Sequence, residues 1–101
     1  MARLDSLIHQ PTRLRIMSAL VALDKGAALD FRTLGEMFDL TDGNLGAHLV
    51  ALEKAGYIAV EKSFIERKPR THARATAKGR RAFDEHVEAL EEIVRGPRSG
   101  G

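Results

Sequence analysis

Between Asp30 and Gly79 the chain carries two short segments of helical periodicity separated by a three-residue turn. Two runs of strand-like alternation follow, on either side of Arg67-Lys68-Pro69-Arg70. The first helical segment places Phe31, Leu34, Met37 and Phe38 together, with Asp30 positioned as its N-cap. The second runs from Asp42 to about Ala55 with a core stripe of Leu45, Leu49 and Leu52, and Gly56 follows as the expected left-handed terminator. In the Asp39-Leu40-Thr41 turn, Leu40 is apolar enough to plug the angle between the helices and Thr41 stands as the next N-cap. Helices this short are marginal alone, so each must lay its stripe on a shared core. The order predicts a mainly α domain with a small β-hairpin, an α+β winged helix-turn-helix.

The flanks supply the rest of that core. Leu4, Leu7 and Ile8 fit a short amphipathic helix ending before Pro11, which itself starts the next helix. Over residues 11–24, Leu14, Ile16, Met17, Leu20, Val21 and Leu23 span about half the helix circumference, which predicts a central helix. Ala28-Leu29 reads as a short strand. Tyr57 to Ile65 alternates, with Ile58, Val60 and Phe64 on one face, and Thr71 to Thr76 returns after the basic tetrad, which forms the hairpin tip. Thr76 caps a last helix with Phe83, His86, Val87, Leu90, Ile93 and Val94 in one stripe and Asp84, Glu85, Glu88, Glu91 and Glu92 opposite. Residues 1–95 thus form one domain, and 96–101 read as a disordered tail.

Charge is segregated more than the formal net of +2 suggests. Residues 61–81 hold eight Lys or Arg against two Glu, whereas residues 82–95 hold five acids against Arg95. A basic segment of this kind favours a polyanionic partner. Without cysteine, disulfides, thiolate zinc sites, iron–sulfur clusters and thiol redox sensing are excluded. The N-terminus lacks the unbroken apolar run of a signal peptide, and no stretch reaches membrane-spanning length, so a cytoplasmic location with no membrane partner is expected.

Projected on a helical wheel, the face of the second helix opposite its leucines presents Gly43, Asn44, Ala47, Val50, Ala51 and Lys54. This face is unusually small. Gly43 and Gly46 each cost a helix about 1 kcal/mol relative to Ala, which suits a backbone that must approach a ligand such as a DNA groove; alternatively both lie in a first turn where propensity matters little. The expected contacts to double-stranded DNA are Arg32, Thr41, Gly43, Asn44, Ala47, His48 and Lys54 from the helices, and Arg67, Lys68 and Arg70 from the hairpin. His48 lies at the margin of the core stripe and serves either a phosphate or helix packing. The last helix has more apolar surface than the hairpin covers. A second copy of the chain is the expected partner, through Leu4, Leu7, Ile8, Phe83, His86, Val87, Leu90, Ile93 and Val94; the other reading has the N-terminal segment of the same chain cover that stripe.

Leu40-Thr41-Asp42-Gly43-Asn44-Leu45-Gly46-Ala47-His48-Leu49, Leu52-Glu53-Lys54-Ala55-Gly56-Tyr57-Ile58, Arg67-Lys68-Pro69-Arg70-Thr71 and Thr76-Ala77-Lys78-Gly79-Arg80 together resemble the small stand-alone winged-helix transcriptional regulators related to the MarR and ArsR families. The resemblance covers about Leu4 to Val94. It implies a homodimer on a pseudo-palindromic operator, recognition helices in successive major grooves, wings over the flanking minor grooves, and repression of nearby genes. Many relatives carry Ser or Thr where this chain has Gly46, which removes a hydroxyl-to-phosphate contact common among them.

Other functions find less support. Asp84-x-His86 echoes the start of a metal-binding pattern on the last helix of some ArsR-like sensors, but its distal ligands have no counterpart, so neither a metal nor a cofactor is expected. No Gly-rich phosphate loop follows a strand and no nucleophile elbow occurs, so no catalytic residues are assigned and the chain is not expected to be an enzyme. A winged-helix module for protein contacts alone is the competing reading; the small, mildly apolar recognition face admits it and the basic hairpin opposes it. A small-molecule effector, if the protein has one, would have to occupy a crevice at the dimer interface.

Overall fold

Pro11, with its fixed φ and no N–H to leave unsatisfied, occupies the first turn of a helix whose cap is Gln10: the Gln10 side chain accepts from the Arg13 N–H at 2.8 Å. This helix, α1 (Pro11–Val21), is the first regular element of the computed structural model, which describes residues 2–96. β1 (Leu29–Asp30), α2 (Phe31–Phe38), α3 (Asp42–Lys54), β2 (Ile58–Ile65), β3 (Lys68–Ala75) and α4 (Ala77–Arg95) follow. The strands form one antiparallel sheet in the order β1-β3-β2, with Leu29 opposite Ala73 and Ile58 opposite Ala75. This is the α+β winged helix-turn-helix architecture that the periodicities predict.

Local chemistry explains the breaks. The Asp30 carboxylate accepts from the Thr33 N–H at 2.7 Å to start α2, and the Thr41 hydroxyl accepts from the Asn44 N–H at 3.2 Å to start α3. Asp39 takes the left-handed conformation at φ 51°, and Leu40 N–H returns to Gly35 O at 2.9 Å. Gly56, at φ 81°, ends α3 in a full Schellman arrangement: Tyr57 N–H bonds Leu52 O at 3.0 Å and Gly56 N–H bonds Glu53 O at 2.9 Å. Ile16, Met17 and Leu20 of α1 meet Leu34, Leu45, Leu49 and Leu52 from the helix-turn-helix, with Ile58, Ala73 and Ala75 closing the core from the sheet.

Three expectations are corrected. The N-terminal segment is a series of turns and not a helix. Among the described residues one helical bond is found there, His9 N–H to Asp5 O at 2.8 Å, while the Asp5 carboxylate accepts from the N–H groups of Leu7 and Ile8. With Pro11 so near, no second turn can propagate. The first strand falls on Leu29–Asp30, one residue later than expected. The returning strand starts at Lys68, so the hairpin tip is Glu66-Arg67, both at positive φ (51° and 66°), while Lys68, Pro69 and Arg70 belong to β3. Pro69 pairs with Phe64, one rung beyond the Ile65–Lys68 pair that closes the two-residue turn. That rung is the non-hydrogen-bonded kind, so the missing proline N–H costs the ladder nothing.

α4 is tied to the sheet through its N-terminus. The Thr76 hydroxyl donates to Gly56 O at 2.6 Å and accepts from Gly79 N–H at 3.0 Å. Thr76 N–H bonds Tyr57 O at 3.0 Å, and a Cβ on Gly79 would lie 1.9 Å from that same oxygen. Only glycine permits this approach. At the other end of α4, Gly96 is its C-cap; the rest of the tail lies outside the described residues. No helix among the described residues is long and apolar enough to cross a membrane.

Candidate nucleic-acid interface

Because Leu45, Leu49 and Leu52 pull one side of α3 into the core, helical phase turns Gly43, Asn44, Ala47 and Val50 outward, and all four are exposed. Thr41, Asp42 and Lys54 are exposed at its ends. A Cβ at Gly43 or Gly46 would meet nothing within 4 Å, so no packing inside the chain demands glycine at either place. The Thr41 hydroxyl oxygen is engaged by Asn44 N–H, which leaves its own proton to donate outward.

Arg32 joins this helix to the wing. It lines one shallow depression with Asp39, Leu40 and Asp42 at the turn, and another with Asp30, Pro69, Arg70 and Thr71 at the base of the wing. Its guanidinium makes an exposed i,i+4 pair with Glu36 at 2.9 Å, a contact of little energy that an approaching phosphate can replace. Hydrogen bonds from Thr33, side chain and then backbone, outweigh slight burial and, with the nearby charges of Arg70 and Arg32, hold the Asp30 carboxyl below its ordinary range. Arg67 and Lys68 are exposed at and beside the tip, and Arg70 is half-buried.

His48 is placed by a residue that sequence reasoning passes over. Arg13 of α1 donates from Nη1 to His48 Nδ1 at 3.2 Å and from Nε to Leu7 O at 2.6 Å, clamping α3 and the N-terminal segment to α1. Burial, and then the Arg13 charge, push the His48 imidazole below the ordinary histidine range. With Nδ1 accepting, the ring proton sits on Nε2. Only an i,i+35 contact reveals this pairing, and no local pattern signals it.

The basic segment is also less concentrated than its sequence. Arg80 donates to Val21 O and Leu23 O, each at 3.0 Å, and so closes the end of α1. Arg74 pairs with Glu61 at 3.1 Å, and Lys78 Nζ stands 5.7 Å from the centre of the Tyr57 ring. Arg80 serves the fold, whereas the Arg74–Glu61 pair and Lys78 are solvent-accessible and held as weakly as the Arg32–Glu36 pair.

The apolar stripe of α4 divides. Ile8 and His86 are fully buried within the chain's own fold, Leu7, Phe83, Val87 and Leu90 are half-buried, and Leu4, Ile93 and Val94 are exposed. His86 Nδ1 accepts from Asp5 N–H at 2.8 Å, so the N-terminal segment covers part of the stripe, and burial together with His9 holds the ring below the ordinary histidine range against the pull of Asp5. Asp84, by contrast, is exposed, and among the described residues no group of three His, Cys, Asp or Glu is placed to hold a metal ion.

An exposed helix face of small residues, set beside a basic two-stranded wing on a three-helix core, defines a winged-helix nucleic-acid-binding module. The family model described as winged helix DNA-binding domain matches residues 12–94, and the chain belongs to that family. It is 35% identical over 89 residues to the uncharacterized protein MJ0432 of Methanocaldococcus jannaschii, covering 88% of this chain and 94% of that one. Among solved structures, it resembles the transcriptional regulator homologue protein from Pyrococcus horikoshii OT3 with a TM-score of 0.80 at 29% identity, over 89% of this chain and 86% of the other. A PadR family transcriptional regulator from Eggerthella lenta shares the fold, with a TM-score of 0.63 at 24% identity, over 89% and 83% of the two chains.

Proposed function

We propose that the protein is a sequence-specific regulator of transcription that binds double-stranded DNA as a homodimer and represses by occupying its operator. The observation that carries this reading is the outward face of α3, where Gly43, Asn44 and Ala47 stand exposed and a Cβ on Gly43 would meet nothing within 4 Å, on a fold that also exposes Arg67 and Lys68 of the wing. A face this flat lets the backbone enter a major groove, and Asn44 can offer an amide to an adenine edge. Membership of a DNA-binding family and likeness to a transcriptional regulator homologue at 29% identity support it. Dimerisation rests on Leu4, Leu90, Ile93 and Val94, apolar side chains that the chain leaves at least partly uncovered. A dimer with two recognition helices suits a pseudo-palindrome, and occupancy of a promoter represses without further contacts.

The test is a binding series on duplex DNA at rising salt, with the wild type beside an Arg67→Ala, Lys68→Ala, Arg70→Ala variant. Each phosphate contact contributes about 0.9 to the slope of log K on log salt, so losing up to three cations from each of two wings should lower that slope by about five. An unchanged slope and affinity in a folded variant would remove the wing from the interface and favour a protein-contact module.

A further inference from the structure

The wing ends in apolar surface. Phe64 is 76% exposed and Ile65 53%, in a chain whose Ile16, Met17, Leu20 and Leu52 are fully buried. Phe64 stands directly opposite Pro69, and side chains on facing residues of a non-hydrogen-bonded rung lie close together on one face. By strand alternation that face also carries Ile58, Ala73 and Ala75, the sheet's contribution to the core. The Phe64–Pro69 pair is therefore on the side turned toward the helices but beyond their reach. Pro69 and Thr71 share a depression with Phe31 and Arg32, which sets this face on the same side as the helix-turn-helix. Lys62, opposite Thr71, shares the face of the pair and Arg67 stands exposed at the tip, while Lys68 and Arg70 occupy the flanking rungs on the other face.

An apolar wedge with Lys62 on its own face and Arg67 at the tip beside it matches one polyanion feature closely. A DNA minor groove has phosphates along both rims and sugar C–H groups and stacked base steps at its floor. We infer that Phe64, backed by Pro69, is a minor-groove wedge that partly opens a base step beside each half-site. The wing then reads deformability in addition to charge. Pyrimidine–purine steps such as TA unstack most easily, so the flanks should favour a TA step over a stiff A-tract, which the cations alone would prefer for its narrow groove. This inference rests on the DNA-binding reading above.

The experiment uses the full chain and a duplex that it selects from a random pool, with 2-aminopurine placed beside a flanking TA step. Wild type should raise the 2-aminopurine fluorescence on binding and prefer the TA flank to an A-tract flank. Phe64→Ala should abolish both effects and bind the TA-flanked site about tenfold more weakly, with its salt slope unchanged because no charge is lost. Phe64→Leu, which keeps an apolar wedge, should retain part of each. Since Phe64 is exposed, both variants should melt as wild type does. Equal affinity and equal fluorescence for Phe64→Ala would overturn the wedge while leaving DNA binding intact. A change in sedimentation mass would overturn it too, by making the tip an interface between copies. Failure of the wild type to bind any duplex would overturn the wedge together with the function on which it rests.

Discussion

Gly79→Ala tests the junction that holds α4 against the sheet. The new methyl would stand 1.9 Å from Tyr57 O and 2.8 Å from the carbonyl carbon, both backbone atoms that cannot rotate away. To restore an ordinary contact, the first turn of α4 and the start of β2 must separate by more than an ångström. The Thr76 N–H bond to Tyr57 O at 3.0 Å spans that gap, and the Thr76 hydroxyl bond to Gly56 O at 2.6 Å lies beside it. Overpacking costs about 1–3 kcal/mol, and loss of a backbone bond adds about 1 kcal/mol. Alanine's better helix propensity returns at most about 1 kcal/mol. The net expectation is a loss of about 1–4 kcal/mol, a large share of the roughly 5–15 kcal/mol that stabilises a domain. Urea unfolding followed by circular dichroism measures it; with a slope of about 2 kcal/mol per molar, the midpoint should fall by about 0.5–2 M. Gly46→Ala is the internal comparison, since its methyl meets nothing within 4 Å and should stabilise by up to about 1 kcal/mol. If Gly79→Ala unfolds within about 0.5 kcal/mol of wild type, the close approach at Tyr57 does not exist in solution and the placement of α4 is wrong.

What the sequence discloses, and what it hides, follows the range of the interactions. The helix-turn-helix is legible because its determinants are local: Asp30, Thr41 and Gly56 act within a few residues of themselves, and the stripe Leu45, Leu49 and Leu52 repeats within one element. The wing's length is not, since Glu66-Arg67 takes two positive φ values without the Asn or Gly that ordinarily announces such a turn. The N-terminal segment reads as a helix because its stabilising partners are remote. Asp5 accepts from the Tyr57 hydroxyl and its N–H bonds His86, residues that periodicity cannot connect to it. The same limit applies to the interface. Exposure of Gly43, Asn44 and Ala47 follows from the phase of the leucines, whereas the Arg13–His48 contact and the internal partners of Arg74, Lys78 and Arg80 depend on tertiary neighbours. A count of basic residues therefore overstates the cations free to reach a ligand by Arg80, whose guanidinium is held by the Val21 and Leu23 carbonyls. The stripe on α4 shows why amphipathicity alone does not locate a dimer seam: His86 and Val94 share it, yet one is fully buried and the other 83% exposed.

The Asp5–Tyr57 pair should show in the pH dependence of stability. Burial pushes the Asp5 carboxyl up, but hydrogen bonds from Tyr57, Ile8 and Leu7, with His86 nearby, outweigh it and leave the group below 3.8, while the bond to Asp5 and burial raise Tyr57 from 10.0 to about 12. The depressed carboxyl contributes stability above about pH 4 that is lost in acid, and the raised phenol contributes stability below pH 10 that is lost toward pH 12. Tyr57→Phe should thus cost about 1.5 kcal/mol on a plateau between those limits and less beyond either, as read by thermal melts across pH. Val94→Glu should leave the monomer folded, since the residue is 83% exposed, yet bury an unpaired carboxylate in the proposed dimer; a variant that still sediments as a dimer would put the interface elsewhere. The last expectation concerns Asn44, whose N–H is held by Thr41 while its side chain is exposed. A side-chain amide reads the acceptor and donor of adenine as a pair, so Asn44→Ala should lose about 1–3 kcal/mol on the selected operator and little on random duplex. Its cap does not involve the amide, so the helix should melt unchanged. Competition binding on the two duplexes decides: equal loss on both makes Asn44 a backbone contact, and the sequence reading must then come from elsewhere on α3 or from the wing.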